Sequence, residues 1–137
     1  TISFTGRVKL TDYMDKIDVN VLTSISEGQP LVILEMGAVG IPSVATNVGA
    51  CAELIMGSET ESPKLKPGGA IVPLSNPAAT AKEIGILLTD KNWHEQCGQA
   101  MQERVHKYYN QPDLIERYRE LYDGYLSEQK IPQLQEI

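Results

Sequence analysis

At 137 residues the chain is long enough for one domain with a core of its own, without metal or disulfide staples. Hydrophobic residues at 42% and charged residues at 22% sit near globular averages, which excludes a disordered tail, a collagen-like fibre and a low-complexity linker. Twelve basic residues against eighteen acidic ones leave a net charge of -6, the wrong sign for a protein that holds nucleic acid by its phosphates, so no nucleic acid partner is expected.

The two cysteines, Cys51 and Cys97, fall on segments read as helical and have no metal-ligand spacing, so neither a disulfide framework nor a zinc site is expected. A reducing, cytoplasmic location fits that usage. The longest apolar stretches, such as residues 31–34, are far too short to span a bilayer, and the N-terminus lacks a basic-then-apolar signal pattern. The chain begins at Thr1 and runs directly into strand-like residues, which reads as a fragment of something longer.

In chain order, residues 2–5 form a short β-rich run stopped by Gly6, and residues 10–17 carry Leu10, Tyr13, Met14 and Ile17 at helical spacing behind Thr11 as N-cap. Residues 19–23 are a second β-branched run, closed by residues 24–29; Pro30 then suits a first helical position, and a helix over 31–39 must end at Gly40. Residues 41–46 predict a third strand, with Pro42 near its start where a lost ladder donor matters least. A short helix over 49–56 ends at Gly57, and residues 58–69, polar with two prolines, predict an exposed loop, the most mobile part of the chain.

Residues 70–74 predict a fourth strand, and Ser75-Asn76-Pro77 opens a helix with Ala78, Ala81, Ile84 and Leu87 or Leu88 on one face. Two longer helices close the chain. One, over 92–108, repeats Trp93, Cys97, Met101 and Val105; the other, opened by Pro112, repeats Leu114, Tyr118, Leu121 or Tyr122, and Tyr125. Strands alternating with helices across short connections predict an α/β domain: a Rossmann-like parallel sheet with helices on both faces, whose ligand site lies outside the strands' carboxyl ends.

The segment with most chemistry joins the end of the second run to the following helix and carries two carboxylates, Glu27 and Glu35, separated by seven residues. At such a helix N-terminus the amides of Leu31, Val32 and Ile33 lack intrahelical partners and the dipole is positive outward, which invites a phosphate or pyrophosphate. The two carboxylates would grip different parts of one ligand. The bland alternative carries equal weight on spacing alone: Glu27 caps the helix and Glu35 is a solvated surface residue. The two histidines, His94 and His106, fall on the late helices and read as surface or packing residues. Arg117-Tyr118-Arg119-Glu120 reads as a solvated charged face.

Taken in order, Ser26-Glu27-Gly28-Gln29-Pro30, Glu35, Gly40-Ile41-Pro42-Ser43-Val44-Ala45-Thr46, Val48-Gly49, Glu53-Leu54-Ile55 and Gly68-Gly69-Ala70-Ile71-Val72-Pro73 resemble the donor-binding half of family 4 glycosyltransferases. Residues 18–27 and 29–35 look most like the PelF-type enzymes of Pel exopolysaccharide synthesis. The resemblance implies a GT-B enzyme with two Rossmann-like domains facing a cleft. The whole chain, 1–137, would be its C-terminal, nucleotide-sugar-binding domain, with an N-terminal acceptor domain missing.

By that analogy Glu27 is the catalytic residue that faces the transferred sugar, and the amides around Gly28 and Gln29 meet sugar hydroxyls. Those following Pro30, at Leu31 and Val32, meet the diphosphate, and Glu35 holds the ribose. The implied activity is retaining hexosyl transfer from a UDP-sugar such as UDP-glucose to a glycan acceptor, with no metal and no cofactor besides the donor. Implied partners are the nucleotide-sugar, the acceptor, the acceptor domain, a membrane polysaccharide-synthesis complex and a second copy of the fragment. Two departures stand out: the family's phosphate-clamping basic pair lies upstream of Thr1, and its paired glycines appear here as Gly49-Ala50. A non-catalytic α/β binding or self-association domain, and a UDP-sugar epimerase of related fold, are the alternative readings.

Overall fold

A computed structural model describes residues 1–128. Three parallel strands, β1 (Asn20–Leu22), β2 (Ser43–Thr46) and β3 (Gly69–Val72), form one sheet in the order β1-β2-β3. The register pairs Leu22 with Ala45 and Ala45 with Ile71, so these three side chains share a face, while Val44 and Val72 lie on the other. As the central strand, β2 is buried along its whole length.

Around the sheet lie α1 (Leu31–Ala38), α2 (Cys51–Met56), α3 (Pro77–Thr89) and α4 (Lys91–Tyr108), followed by α5 (Gln111–Glu128). One face packs Ala45, with Leu22 and Ile71 at its edge, against Ile33 of α1, Cys51, Leu54 and Ile55 of α2, and Met101 and Val105 of α4. The opposite face packs Val44 and Val72 against Leu87 of α3 and Cys97 of α4, with Ile84 and Trp93 at the margin. The α/β architecture with helices on both faces is thus the observed one. Its interior comes from the 3.6-residue stripes on α1 and α4 closing over alternate strand residues.

Helix α3 follows the expected start, with Pro77 in its first turn and the Asn76 side chain accepting the Ala79 amide at 3.0 Å. Asp90 does the same for α4, accepting from the Trp93 amide at 2.9 Å. Pro30 is the N-cap of α1 rather than its first residue, a one-residue difference of the kind helix ends show. Likewise Ile41 and Pro42 precede β2, while β3 starts at Gly69 and stops at Val72.

Three expectations are corrected. Residues 2–5 form no strand, leaving three strands where four were expected; Ile2 is 83% and Phe4 96% exposed, and a strand without a neighbour to share its ladder has nothing to stabilise it. Residues 10–17 form two separate 3₁₀ turns, Leu10–Asp12 and Met14–Lys16, neither with a buried residue. Leu10, Tyr13, Met14 and Ile17 are only partly buried, too little packing for an eight-residue α-helix to offset its nucleation. Finally, the loop over 58–69 is anchored rather than loose.

The anchor is Arg104 of α4, which is completely buried. Its Nε and Nη2 donate to the two carboxylate oxygens of Glu61 at 2.7 and 3.1 Å. The same guanidinium donates to the carbonyls of Ile55 at 3.0 Å and Lys66 at 2.9 Å, so four bonds tie α4 to the end of α2 and to both sides of the loop. Tyr108 adds a second tie, donating to the Ser62 carbonyl at 2.9 Å and accepting the Ser62 amide at 3.0 Å.

Candidate functional site

The segment between β1 and α1 is held in place by the next strand and turn. The Thr46 hydroxyl donates to the Ser24 carbonyl, and the Ala50 amide donates to the Gly28 carbonyl at 2.9 Å. Gly49 makes this approach feasible: its φ is +50°, and a Cβ built there would lie 2.1 Å from the Glu27 carbonyl oxygen and 2.7 Å from that of Gly28. Ala50, the second residue of the pair, has φ of -84°, open to any side chain, and packs at the edge of the core.

Glu27 is half-buried, and the Ser24 hydroxyl donates to its Oε1 at 2.6 Å. That bond fixes the carboxylate against the loop that carries it. Cys51 lies close enough to feel Glu27: burial first, and then the Glu27 charge, push its thiol pKa up, leaving an inert core thiol.

The start of α1 is open. Its N-cap, Pro30, has no side-chain acceptor to offer, and no acidic residue stands in the first turn. The Ile33 amide turns back to the Pro30 carbonyl at 3.2 Å, whereas those of Leu31 and Val32 donate to no protein acceptor among the described residues. Two unsatisfied amides at the positive end of a helix are a receptor for an anion. Gly28 and Gln29 are exposed just before it, and Pro30 is buried, fixing the entry of the chain into the helix.

Glu35 is exposed and lies four residues after Leu31, on the same side of α1. Both residues, together with Gln29 and Leu34, line a cleft of about 690 Å³ whose far wall is the α4–α5 junction, with Tyr108, Tyr109, Leu114 and Arg117. The structure therefore brings Gln29, Leu31 and Glu35 to one cleft; Glu27 is not in its wall.

One contact of this wall went unread in the sequence. Tyr109 donates to Glu53 Oε1 at 3.3 Å, and burial, with the Glu53 charge behind it, pushes its phenol pKa up to about 12. Arg117, exposed as expected of a solvated charged face, lines both the Glu35 cleft and a smaller cavity of about 190 Å³ beside Glu53. Among the described residues no group of three or more His, Cys, Asp or Glu side chains is placed to hold a metal, and no helix is long and apolar enough to cross a membrane.

The profile of the family described as "Glycosyl transferases group 1" matches residues 1–90. The N-acetyl-alpha-D-glucosaminyl L-malate synthase of Bacillus anthracis is 26% identical over 113 residues, covering 82% of this chain and 28% of that protein. Sucrose-phosphate synthase from Thermosynechococcus elongatus superposes with a TM-score of 0.79 at 27% identity, over 92% of this chain and 30% of that one. The C-terminal domain of a glycosyl transferase group 1 family protein from Francisella tularensis shares the fold, with a TM-score of 0.63 at 23% identity over 80% of this chain and 53% of that one. The chain thus spans under a third of the length of the first two proteins.

Proposed function

The chain belongs to the glycosyl transferases group 1 family, and from that membership we propose that it is the nucleotide-sugar donor-binding region of a retaining glycosyltransferase that uses a UDP-sugar such as UDP-glucose in exopolysaccharide synthesis. The observation that carries this reading is the open N-terminus of α1, with two free amides at Leu31 and Val32 flanked by Glu27 and Glu35.

In this reading the diphosphate sits on the Leu31 and Val32 amides, and the helix dipole offsets the negative charge that grows on it as the glycosidic bond breaks. Glu35 accepts hydrogen bonds from the ribose. Glu27, held by Ser24, faces the transferred sugar and stabilises the positive, oxocarbenium-like centre, as carboxylates do in other glycosyl transfers. Gly28 and Gln29 offer amides to the sugar hydroxyls. The glycan acceptor enters from the opposite side of the cleft, on a separate acceptor domain. The isolated chain is therefore expected to turn over no UDP-sugar, because half of the water-poor site is absent.

Titration of UDP into the protein tests the assignment. Glu35→Ala is expected to weaken UDP by roughly tenfold to a hundredfold, about 1.5–3 kcal/mol, the usual loss for hydrogen bonds to a charged group. Glu27→Ala is expected to leave UDP affinity nearly unchanged and to lower turnover in the complete enzyme, since a contact made mainly in the transition state appears in rate. Equal loss of UDP affinity in both variants, with matching loss of helical circular dichroism, would assign both residues to folding and withdraw the site.

The proposal extends to a partner surface. Residues 111–126 of α5 are all exposed, and Leu114, Ile115, Tyr118, Leu121, Tyr122, Tyr125 and Leu126 are each between 42% and 65% exposed. Leu114, Tyr118, Leu121 and Tyr125 follow a four-three-four spacing, the seam of a helix that packs against another. Left uncovered, such a stripe drives association. Sedimentation of the isolated chain is expected to show a concentration-dependent oligomer; a monomer at all concentrations would remove self-association from the reading.

A further inference from the structure

A third cavity, of about 320 Å³, opens at the carboxyl ends of all three strands, away from the Glu35 cleft. Thr23 follows β1, Thr46 ends β2, and residues 73–77 follow β3 and lead into α3, whose Thr80 completes the wall. Its lining carries no charged side chain, which argues against a phosphate. It offers instead hydroxyls and one amide beside the exposed apolar surfaces of Ile25 and Leu74, which are 85% and 45% exposed. Among the described residues the hydroxyls of Thr23 and Ser75 have no protein partner, and the Asn76 side chain uses only its oxygen, on the Ala79 amide. A rim of free neutral donors around apolar patches matches one ligand chemistry well: a sugar ring, polar at its hydroxyls and apolar across its C–H face.

Backbone geometry adds an independent sign. Ser75 has φ of +55°, the one non-glycine residue in the left-handed region among those described. A serine kept there, where glycine would sit without strain, is the kind of cost that persists at binding sites. The cavity is also wired to the candidate catalytic loop. Thr46, in its wall, donates to the Ser24 carbonyl, and Ser24 donates to Glu27, two residues past Ile25.

We infer that this cavity holds an uncharged sugar ring of the glycan acceptor, so that the donor-binding domain itself contributes an acceptor surface through Thr23, Ser75 and Asn76. The inference rests on the proposed reading of Glu27 as the residue facing the transferred sugar. The transferred hexose of the donor has the same ring chemistry, and the test separates the two sources.

The probe is methyl β-D-glucopyranoside, observed by saturation-transfer difference NMR on the full protein carrying this chain, with UDP titrated in parallel. The expected result is a sugar signal that persists under saturating UDP and under saturating UDP-glucose. Thr23→Val and Ser75→Gly should each weaken the sugar by roughly twofold to tenfold, the loss of one neutral hydrogen bond, with UDP affinity unchanged. Ser75→Gly also removes the left-handed strain, so the variant should melt no lower than wild type, and weaker sugar binding in it cannot be a folding defect. A signal that survives UDP but disappears with UDP-glucose would assign the ring to the donor and overturn the acceptor surface. No signal, or one indifferent to both variants while UDP still binds, would overturn this inference and leave the donor site standing. Failure of the wild-type protein to bind UDP would withdraw the donor reading and this inference with it.

Discussion

Replacing Arg104 with Met is expected to cost about 3–5 kcal/mol of folding stability, the penalty for stranding one member of a buried ion pair. The side chains of Arg104 and Glu61 are only 1% and 2% exposed, so water cannot take the place of the lost guanidinium. The substitution would leave the Glu61 carboxylate with only the Leu65 amide, at 2.8 Å, and would strip a donor from the Ile55 and Lys66 carbonyls. A double variant, Arg104→Met with Glu61→Leu, removes both charges and is expected to recover much of the loss, because the desolvation cost of the pair disappears with it. Urea unfolding of the four proteins in this cycle measures the coupling directly; a single-variant loss under 1 kcal/mol would show that the pair is not buried in solution.

The same pair predicts an acid limit. Burial by itself would raise the Glu61 pKa, but the Arg104 hydrogen bonds, the Leu65 amide and the nearby positive charges outweigh it and hold the carboxyl below its ordinary value of 4.5. A carboxyl depressed in the folded state stabilises the protein fully above that ordinary value, and the contribution disappears as pH falls through the folded value. Wild type should therefore lose stability in that acid window more steeply than the double variant, which has no carboxyl at position 61.

The difference between what the sequence disclosed and what it hid follows from how far apart the interacting residues lie. The Glu27 and Glu35 pair was legible because one loop and one helix start carry both, and the open amides at Leu31 and Val32 follow from Pro30 offering no cap. The core stripes on α1 and α4 were legible for the same local reason. Arg104 was not, because a charged residue on an amphipathic helix is ordinarily assigned to water and its partner lies 43 residues earlier in a polar loop. A signal was available in its register: Arg104 stands three residues after Met101 and seven after Cys97, on the buried stripe itself. Residues 2–5 fail in the opposite sense. Their composition suits a strand, but a strand exists only through the neighbour that shares its hydrogen bonds, and no composition supplies one. The separation of Glu27 from the Glu35 cleft was likewise beyond reach, since the loop is held by Thr46 of β2 at the Ser24 carbonyl, while Ser24 in turn holds Glu27.

That dependence makes Gly49→Ala the substitution expected to damage the candidate site most while leaving every candidate ligand contact chemically intact. At φ of +50° an alanine pays about 1–2 kcal/mol for the left-handed backbone alone. Its methyl would then stand 2.1 Å from the Glu27 carbonyl oxygen, far inside van der Waals contact, with backbone on both sides. No side chain can swing aside to relieve this, so either the 24–30 loop or the 47–50 turn must move. Movement breaks the Ala50 amide bond to the Gly28 carbonyl and shifts Glu27, Gly28 and Gln29 off the end of α1. Helix α1 itself is held by Ile33 and Met36 in the core and should stay formed. The expected outcome is a protein with near-native helical circular dichroism, a lowered melting temperature and turnover reduced by at least an order of magnitude in the complete enzyme. UDP affinity should fall less than in Glu35→Ala, because the Leu31 and Val32 amides and Glu35 remain on an intact helix. Substituting Ala50 with Gly serves as the control, since its ordinary φ accepts either residue and turnover should be unchanged. Wild-type turnover in Gly49→Ala would mean that the loop position is irrelevant to the chemistry, and Glu27 would lose its assigned role.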